Sequence, residues 1–542
     1  MQIDLAELSR PPEEIAERCR RRLEEAVGID SQSDERSERI PSSAGQEALA
    51  ALVERRLSDA GAAVDRDRFG CVIASLPGRH AGRGAAPLAL MVHLDTARGT
   101  AALSGLRVHE SWSGDPIPYP ARPDLRVGLE TFPQTRAFLG HDLLLGPGDA
   151  PFGLDDKLGL AQMLTLAELL AEQEHASSPP LVLVARPDEE IGRMEAVREL
   201  AVTLAERGVR HGFTLDGILP FEINVENFNA SSASLTFPSR PLATLPGPSA
   251  VRVAEVGIGG VNTHGATAKA EGYRAATRLA AEIVAQLEES GALPRSIVPI
   301  SFASDALRDC DGRAAFVVGG EDGEEACRAW GLLERALAET VGPHVPRGAS
   351  WSVSEPLPLD PGAHARDGST LEMLRFVARL LGDEPGFVVA AEESSGREGY
   401  SAPYRALPAK GGVTLDVRLR DFEEQGLRRR EEHVRGLARS CEGVELRVAQ
   451  QYVNMGPHLG AHPLLVDWPR RAAALAGVEA RVEPIRGGTG VDPFLEHGVA
   501  VANLGTGYFA PESEKEFTSL QMMARHVAWL FALVQVAAAV RD

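Results

Sequence analysis

Short apolar runs that end in acidic turns alternate with stretches of helical period along the first 228 residues. Pro11-Pro12-Glu13-Glu14 puts proline and acid in the first turn of a helix running to about residue 26. A second amphipathic helix spans about 45–60. Runs at 64–68, 72–76 and 88–93 read as strands, and 88–92 is apolar throughout, as in the middle of a parallel sheet. After a Gly- and Pro-rich passage come 143–145, a helix over 158–170 just behind Asp155-Asp156, and a central strand at 180–185 ending in Arg186-Pro187-Asp188-Glu189-Glu190. Another helix leads to a strand at 212–215 that ends in Asp216-Gly217. Strand, acidic residue at its C-terminal end, then helix, repeated, predicts an open, doubly wound α/β sheet with ligands outside the carboxyl ends of the strands.

The texture changes at about 229, where strands stand isolated between helices and are interrupted by Pro-, Gly- and Ser-rich pieces at 238–249 and 343–361. The α/β grammar returns late, with a helix over 463–476, a strand at 482–485, RGGTG, a strand at 499–504 and a last helix. Three segments are predicted: 1–228 and 451–542 as two parts of a catalytic domain, and 229–450 as an inserted α+β lid. Within the lid, 263–283 is loosely echoed by 363–381 and 313–337 by 413–437. Two readings follow: two repeats, about 229–360 and 361–450, or unrelated strand–helix pieces.

A length of 542 residues leaves room for two or three domains, and 44% hydrophobic with 25% charged residues is ordinary for a soluble chain. A formal net charge of −21 argues against nucleic acid or an anionic membrane as the main partner. The five cysteines, Cys19, Cys71, Cys310, Cys327 and Cys441, have no metal-ligand spacing and read as free thiols of a reducing compartment. The N-terminus is polar, and the apolar stretch 528–540 reads as a docking helix too short to span a bilayer. The expectation is a cytoplasmic protein without a membrane partner.

The chemistry concentrates in MVHLDT, where His93-x-Asp95 leaves a strand end. Residues two apart on a strand point the same way, so the carboxylate can hold the imidazole N–H and leave the other nitrogen for a metal. Asp155, Glu189/Glu190, Asp216 and Glu512 stand at other strand or loop ends. Each alone reads as a helix cap, a first-turn acid or a turn residue. Together they would repel one another unless cations sat among them, and a dinuclear divalent site supplies that charge.

IDSQS, PSSAGQ, MVHLDT, GLDDKLG, RPDEEIGR, FTLDG, VENFNASSASL, NTHGATAK, VRLRDF, VNMG and PIRGGTG occur in order along the chain. In these motifs the chain resembles the di-zinc aminopeptidase/carboxypeptidase family that includes peptidase T, carboxypeptidase G and acetylornithine deacetylase, and resembles the peptidase T branch most. The resemblance implies a zinc-exopeptidase-like catalytic domain with the lid inserted. It implies that His93, Asp155 and Asp216 hold one metal, with Asp155 bridging to a second held by Glu190. Glu189 looks like the general base acting with a metal-bound hydroxide, Asp95 the partner of His93, and the Asp155–Asp156 peptide is expected to be cis. His264 matches the lid histidine that stabilises the oxyanion, with His364 as the echo position. In dimeric relatives that histidine comes from the partner chain, so the expectation is a monomer with a doubled lid or a homodimer. Arg420 and Arg486 are candidates to hold a substrate carboxylate, with surface ion pairs as the alternative.

The chain also departs from the family. The last metal ligand is normally a histidine after the NLGTG-like strand end, whereas the segment here reads NLGTGYFAPESEKEF, with Glu512 at the equivalent place. A second metal held by Asp155, Glu190 and Glu512 has only oxygen donors, which favours manganese or magnesium over zinc. Alternatively Glu512 points away and the site is mononuclear or catalytically altered. RGGTG is followed by Val491-Asp492 rather than at once by an aspartate. The cofactors expected are two divalent ions, zinc first, with manganese, cobalt or magnesium as alternatives. The leading reading is a peptidase T-like hydrolase of small peptides. The others are an amidohydrolase of an N-acylated or amide metabolite, and a degenerate member that binds a peptide or partner.

Overall fold

Eight strands form a mixed sheet in the order Ala63–Arg66, Val72–Leu76, Leu181–Arg186, Leu88–His93, His211–Gly217, Ala500–Gly505, Glu222–Asn224, Arg481–Val482. The four central strands are mutually parallel. Three of them, Leu88–His93, Leu181–Arg186 and Ala500–Gly505, are buried along their whole length, which is why their sequences are continuous apolar runs without alternation. Antiparallel neighbours close the parallel core on each side. This computed structural model describes residues 10–82, 85–130, 132–242, 251–262, 272–305, 308–359, 367–382, 397, 399–488 and 490–539.

The chain divides into two units, Met1–Asn227 with Asn454–Asp542, and Phe228–Val453. In the first, the helices Pro12–Val27, Leu154–Glu172 and Leu520–Ala538 pack on one another. Pro12–Val27 starts with proline at N1 and Glu13 and Glu14 in its first turn, as its sequence predicts. It is held to Leu154–Glu172 by Arg22–Glu168 at 2.7 Å and Arg18–Glu172 at 2.7 Å. Residues 143–145 form a strand that pairs with Arg107–His109 and Phe517–Ser519 in a separate three-stranded sheet. One expectation is corrected here. The last helix begins at Leu520, and at 19 residues it is long and apolar enough to cross a membrane. Most of its apolar length is nevertheless buried in the protein, as in a core helix that is hydrophobic all round.

That helix carries His526, stacked on Phe221 with ring centroids 4.3 Å apart. Burial alone pulls its imidazole down to about 3 from 6.5. The unfolded chain therefore takes up the proton first. Stability owed to the neutral ring is whole above pH 6.5 and drains as pH falls toward 3, by about 2 kcal/mol between pH 6.5 and 5. The urea midpoint of the wild type should fall more steeply from pH 7 to 5 than that of His526→Phe. Equal slopes would contradict this assignment.

The second unit holds two antiparallel sheets. One runs Ile297–Ser304, Gly312–Val318, Arg252–Gly259, Ser350–Val353, with the short Leu357–Pro358 also paired to Arg252–Gly259, and the other Tyr400–Ala409, Gly412–Asp421, Asn229–Pro238, Glu445–Tyr452. Numbered along the chain within each sheet, both read second, third, first, fourth. Helices Ala276–Glu289 and Gly323–Val341 belong to the first lobe, and Ser369–Gly382 and Glu424–Arg439 take the equivalent places in the second. The division differs from 229–360 and 361–450. Asn229–Pro238 pairs with Gly412–Asp421 (Leu235 opposite Leu415) and with Glu445–Tyr452 (Leu235 opposite Leu446). The first lobe is thus inserted between the first strand and first helix of the second. Alternating burial along Asn229–Pro238 chooses the partners by which face is apolar, not by nearness in the chain.

Candidate metal centre

Leu88–His93 has parallel neighbours on both sides, so the acidic turns after Leu181–Arg186 and His211–Gly217 leave the sheet at the edge where His93 stands. His93 is 2% exposed. Its Nδ1 lies 2.9 Å from the backbone carbonyl of Asp95, an oxygen that only accepts, so Nδ1 carries the proton. Nε2 then faces Asp155 Oδ1 at 3.0 Å and Asp216 Oδ1 at 3.4 Å. A lone pair held against two carboxylates needs a cation or a second proton. Burial alone would lower the pKa of His93, but the charge of Asp216 and hydrogen bonding to Asp155, Asp216 and Asp95 raise it well above the ordinary value.

The Asp95 carboxylate does more than the imidazole partnership expected of it. Its Oδ1 is 3.4 Å from His93 Nδ1, while its two oxygens accept the backbone N–H groups of Glu189 at 2.9 Å and Glu190 at 3.1 Å. Asp95 therefore fastens the His93 strand end to the acidic turn. Asp155 and Asp156 depart from helical φ/ψ inside Leu154–Glu172 and are joined by a cis peptide. Asp156 Oδ2 accepts the His93 N–H at 3.1 Å, and Asp155 Oδ2 accepts the Tyr508 hydroxyl at 3.0 Å.

Among the described residues, two groups offer ligand atoms within 4.8 Å of one another: His93, Asp155 and Glu190, and His93, Asp156 and Asp216. His93, Asp155, Glu190 and Asp216 thus converge, and Asp156 joins them. Burial, then the charges of Glu512 and Asp155, push Glu190 well up. Burial pushes Asp216 up to about 7 against the pull of His93. Asp156 rises well above its usual range by burial and then the charge of Asp216. Glu190 Oε1 is buried with no hydrogen-bond partner among the described residues. Buried unpaired carboxylates each cost several kcal/mol, and bound divalent cations invert that local field. The donor set fits two such ions.

Glu512 belongs to neither group, although its charge is felt at Glu190. Its N–H donates to Glu516 Oε1 at 2.6 Å, and Glu516 Oε2 accepts from the N–H groups of Gly153 at 2.7 Å and Leu154 at 3.2 Å. Burial holds Glu516 up to about 8. This one carboxyl ties the segment before Asp155 to the segment of Glu512. The latter is also anchored by Phe509 and Phe517 against Phe138 and Phe132, and by Tyr119 donating to the Lys515 carbonyl at 2.5 Å.

No family model matches the chain. Peptidase T of Bacillus mycoides strain KBAB4 is 29% identical over 263 residues, 48% of this chain and 58% of that protein. Peptidase T of Bacillus cereus strain ATCC 10987 is 23% identical over 512 residues, 92% of this chain and 94% of that one. The chain is thus similar to peptidases T, and it spans about three fifths of the length of the first of these relatives. The crystal structure of a tripeptidase from Staphylococcus aureus subsp. aureus Mu50 covers 96% of this chain and 98% of its own, at TM-score 0.52 and 12% identity. Aminoacylhistidine dipeptidase from Vibrio alginolyticus covers 96% of each chain, at TM-score 0.52 and 13% identity. These two share its fold.

His264 and His364 lie outside the described residues. Arg420 is buried in the second unit, donating to the carbonyls of Ser231 and Leu419 at 3.2 and 3.0 Å with its guanidinium over Tyr452. Arg486 is buried in the first unit, so neither arginine is a surface ion pair. Sequence reasoning assigned no role to Asp156, Tyr508, Glu516 or Asp188. The Asp188 carboxylate is caged by Ser42 and Gln46 of PSSAGQ, with Ser42 N at 2.8 Å and Gln46 Nε2 at 2.7 Å. PSSAGQ itself, a motif with no assigned task, was the available signal.

Proposed function

We propose that this peptidase is a two-cation aminopeptidase of small peptides with a free N-terminus. The observation that carries the reading is the His93 imidazole, whose proton is committed at Nδ1 and whose Nε2 faces Asp155 and Asp216. In this reading His93, Asp155 and Asp216 would hold one ion, and Glu190 with Glu512 would hold a second beside Asp155. Bound ions would lower the pKa of a water and polarise the scissile carbonyl. Glu189 takes the proton of the attacking water and delivers it to the leaving amine. Asp95, by holding the Glu189 and Glu190 N–H groups, keeps base and ligand in fixed relation to His93. Tyr508 steadies Asp155, burial and the charge of Asp155 keeping its phenol protonated. The imidazole suits zinc, and the oxygen-rich second position suits manganese or magnesium.

The shared strand order of the two lobes supports a monomer whose second lobe takes the part of a partner's lid. Five free thiols, three of them buried, support a cytoplasmic location, which recovery in a secreted fraction would overturn. For the activity, protein purified without chelator is assayed on unblocked and N-acetylated di- and tripeptides with zinc, manganese or cobalt, and its mass is measured by light scattering. Unblocked tripeptides should be cleaved, chelator should stop the reaction, and the mass should be that of one chain. Cleavage of the N-acyl substrates alone would make the enzyme a deacylase. Failure on every substrate with every metal would make it a binding protein. A doubled mass would replace the monomer with a dimer.

A further inference from the structure

Arg186 ends a central strand, stands in register beside His93, and is 3% exposed. A buried guanidinium is costly unless paired, and its Nη2 donates to Glu189 Oε1 at 3.1 Å. The neighbouring acids are thereby sorted. Glu190 belongs to a candidate cation group and keeps Oε1 without a hydrogen-bond partner among the described residues, whereas Glu189 belongs to neither group and is tied to Arg186. On the other side stands Gly490, at φ +58, a conformation that side-chain-bearing residues rarely adopt. A Cβ there would lie 3.0 and 3.1 Å from the two terminal nitrogens of Arg186 and 3.2 Å from Glu189 Oε1. The missing side chain at 490 is what leaves room for the ion pair.

We propose that Arg186 is a positioning residue for peptide hydrolysis, fixing the Glu189 carboxylate beside the cation site, with Gly490 providing the space. The proposal rests on the reading of Glu189 as general base. Asp95 holds only the backbone of Glu189, and a glutamate side chain has three further rotors. A base works only within hydrogen-bond reach of the proton it takes, and a misplacement of about 1 Å can cost on the order of 10²-fold in rate. The ion pair engages Oε1 and leaves Oε2 to accept the proton.

Arg186→Met keeps the bulk and removes the fork. On an unblocked tripeptide with zinc or manganese, kcat should fall roughly 10- to 100-fold, with KM within about twofold and metal content per chain unchanged. Arg186→Lys should recover part of the loss, because a point charge replaces the fork. Added to Glu189→Gln, Arg186→Met should cost nothing more, whereas a merely structural role would lower the residual rate again. A crystal structure of Arg186→Met should show the Glu189 carboxylate displaced, a result that needs no activity. An unchanged kcat, a raised KM alone, a further loss in the Glu189→Gln background, or a Glu189 carboxylate still in place would each overturn the proposal. If Glu189→Gln itself is silent, the base reading fails. If it is inactive while Arg186→Met is silent, only the positioning role fails.

Discussion

Glu189→Gln lowers kcat for an unblocked tripeptide by roughly 10²–10⁴-fold, the share that general acid–base catalysis commonly supplies, and leaves metal content unchanged. Glutamine keeps the length and one acceptor oxygen but cannot take a proton. Glu189 stands outside both candidate ligand groups, so its neutralisation removes no donor from an ion. Its backbone is held by the N–H bond to Asp95 at 2.9 Å, which the substitution preserves. Steady-state kinetics beside elemental analysis make the check. Loss of metal together with activity would make Glu189 a ligand, and full activity would place the base elsewhere.

Asp155→Ala has the second large effect, on binding and on stability at once. Asp155 lies 3.0 Å from His93 Nε2, and its charge raises Glu190, Asp156 and Asp216. On the reading proposed above, removing it takes away the donor shared between the two positions, so activity should fall to background. In chelator, where like charges crowd without compensation, the variant should melt no lower than the wild type. Metal at a hundred times its dissociation constant should stabilise the wild type by about 2.7 kcal/mol, a rise of several degrees, and should not move the variant. Thermal melts with and without zinc or manganese read both effects. A metal-induced rise that survives in Asp155→Ala would show that the cations bind elsewhere.

The residues that carry these effects differ in how visible they were. His93, Asp155, Glu190 and Asp216 each end or follow a strand or loop, and a repeated rule, acid at the carboxyl end of a parallel strand, marks them without knowledge of the folded chain. Tyr508 and Glu516 obey no such rule. Tyr508 matters because its hydroxyl reaches a carboxylate 353 residues earlier, and Glu516 because the N–H groups of Gly153 and Leu154, 363 and 362 residues earlier, converge on it with that of nearby Glu512. Arg186 reads as the end of a strand, and its role appears only once Gly490 is seen against it. The lid shows the same division. The echoes in 263–437 coincide with matching strand–helix pieces, but the chain order hides that Asn229–Pro238 lies inside the later sheet, between Gly412–Asp421 and Glu445–Tyr452.

What the order of residues settled by itself was local: where apolar runs are long enough for buried strands, where helices start, and which charged groups lie at their ends. Those features depend on neighbours a few positions apart, which the sequence lists directly. Only the tertiary structure decided that Asp95 binds two backbone N–H groups beside its histidine, that Glu190 is left with a buried oxygen unmatched among the described residues, and that a glycine makes room for a guanidinium. Each of these depends on distances between groups tens to hundreds of residues apart, and those distances exist only when the sheet is assembled.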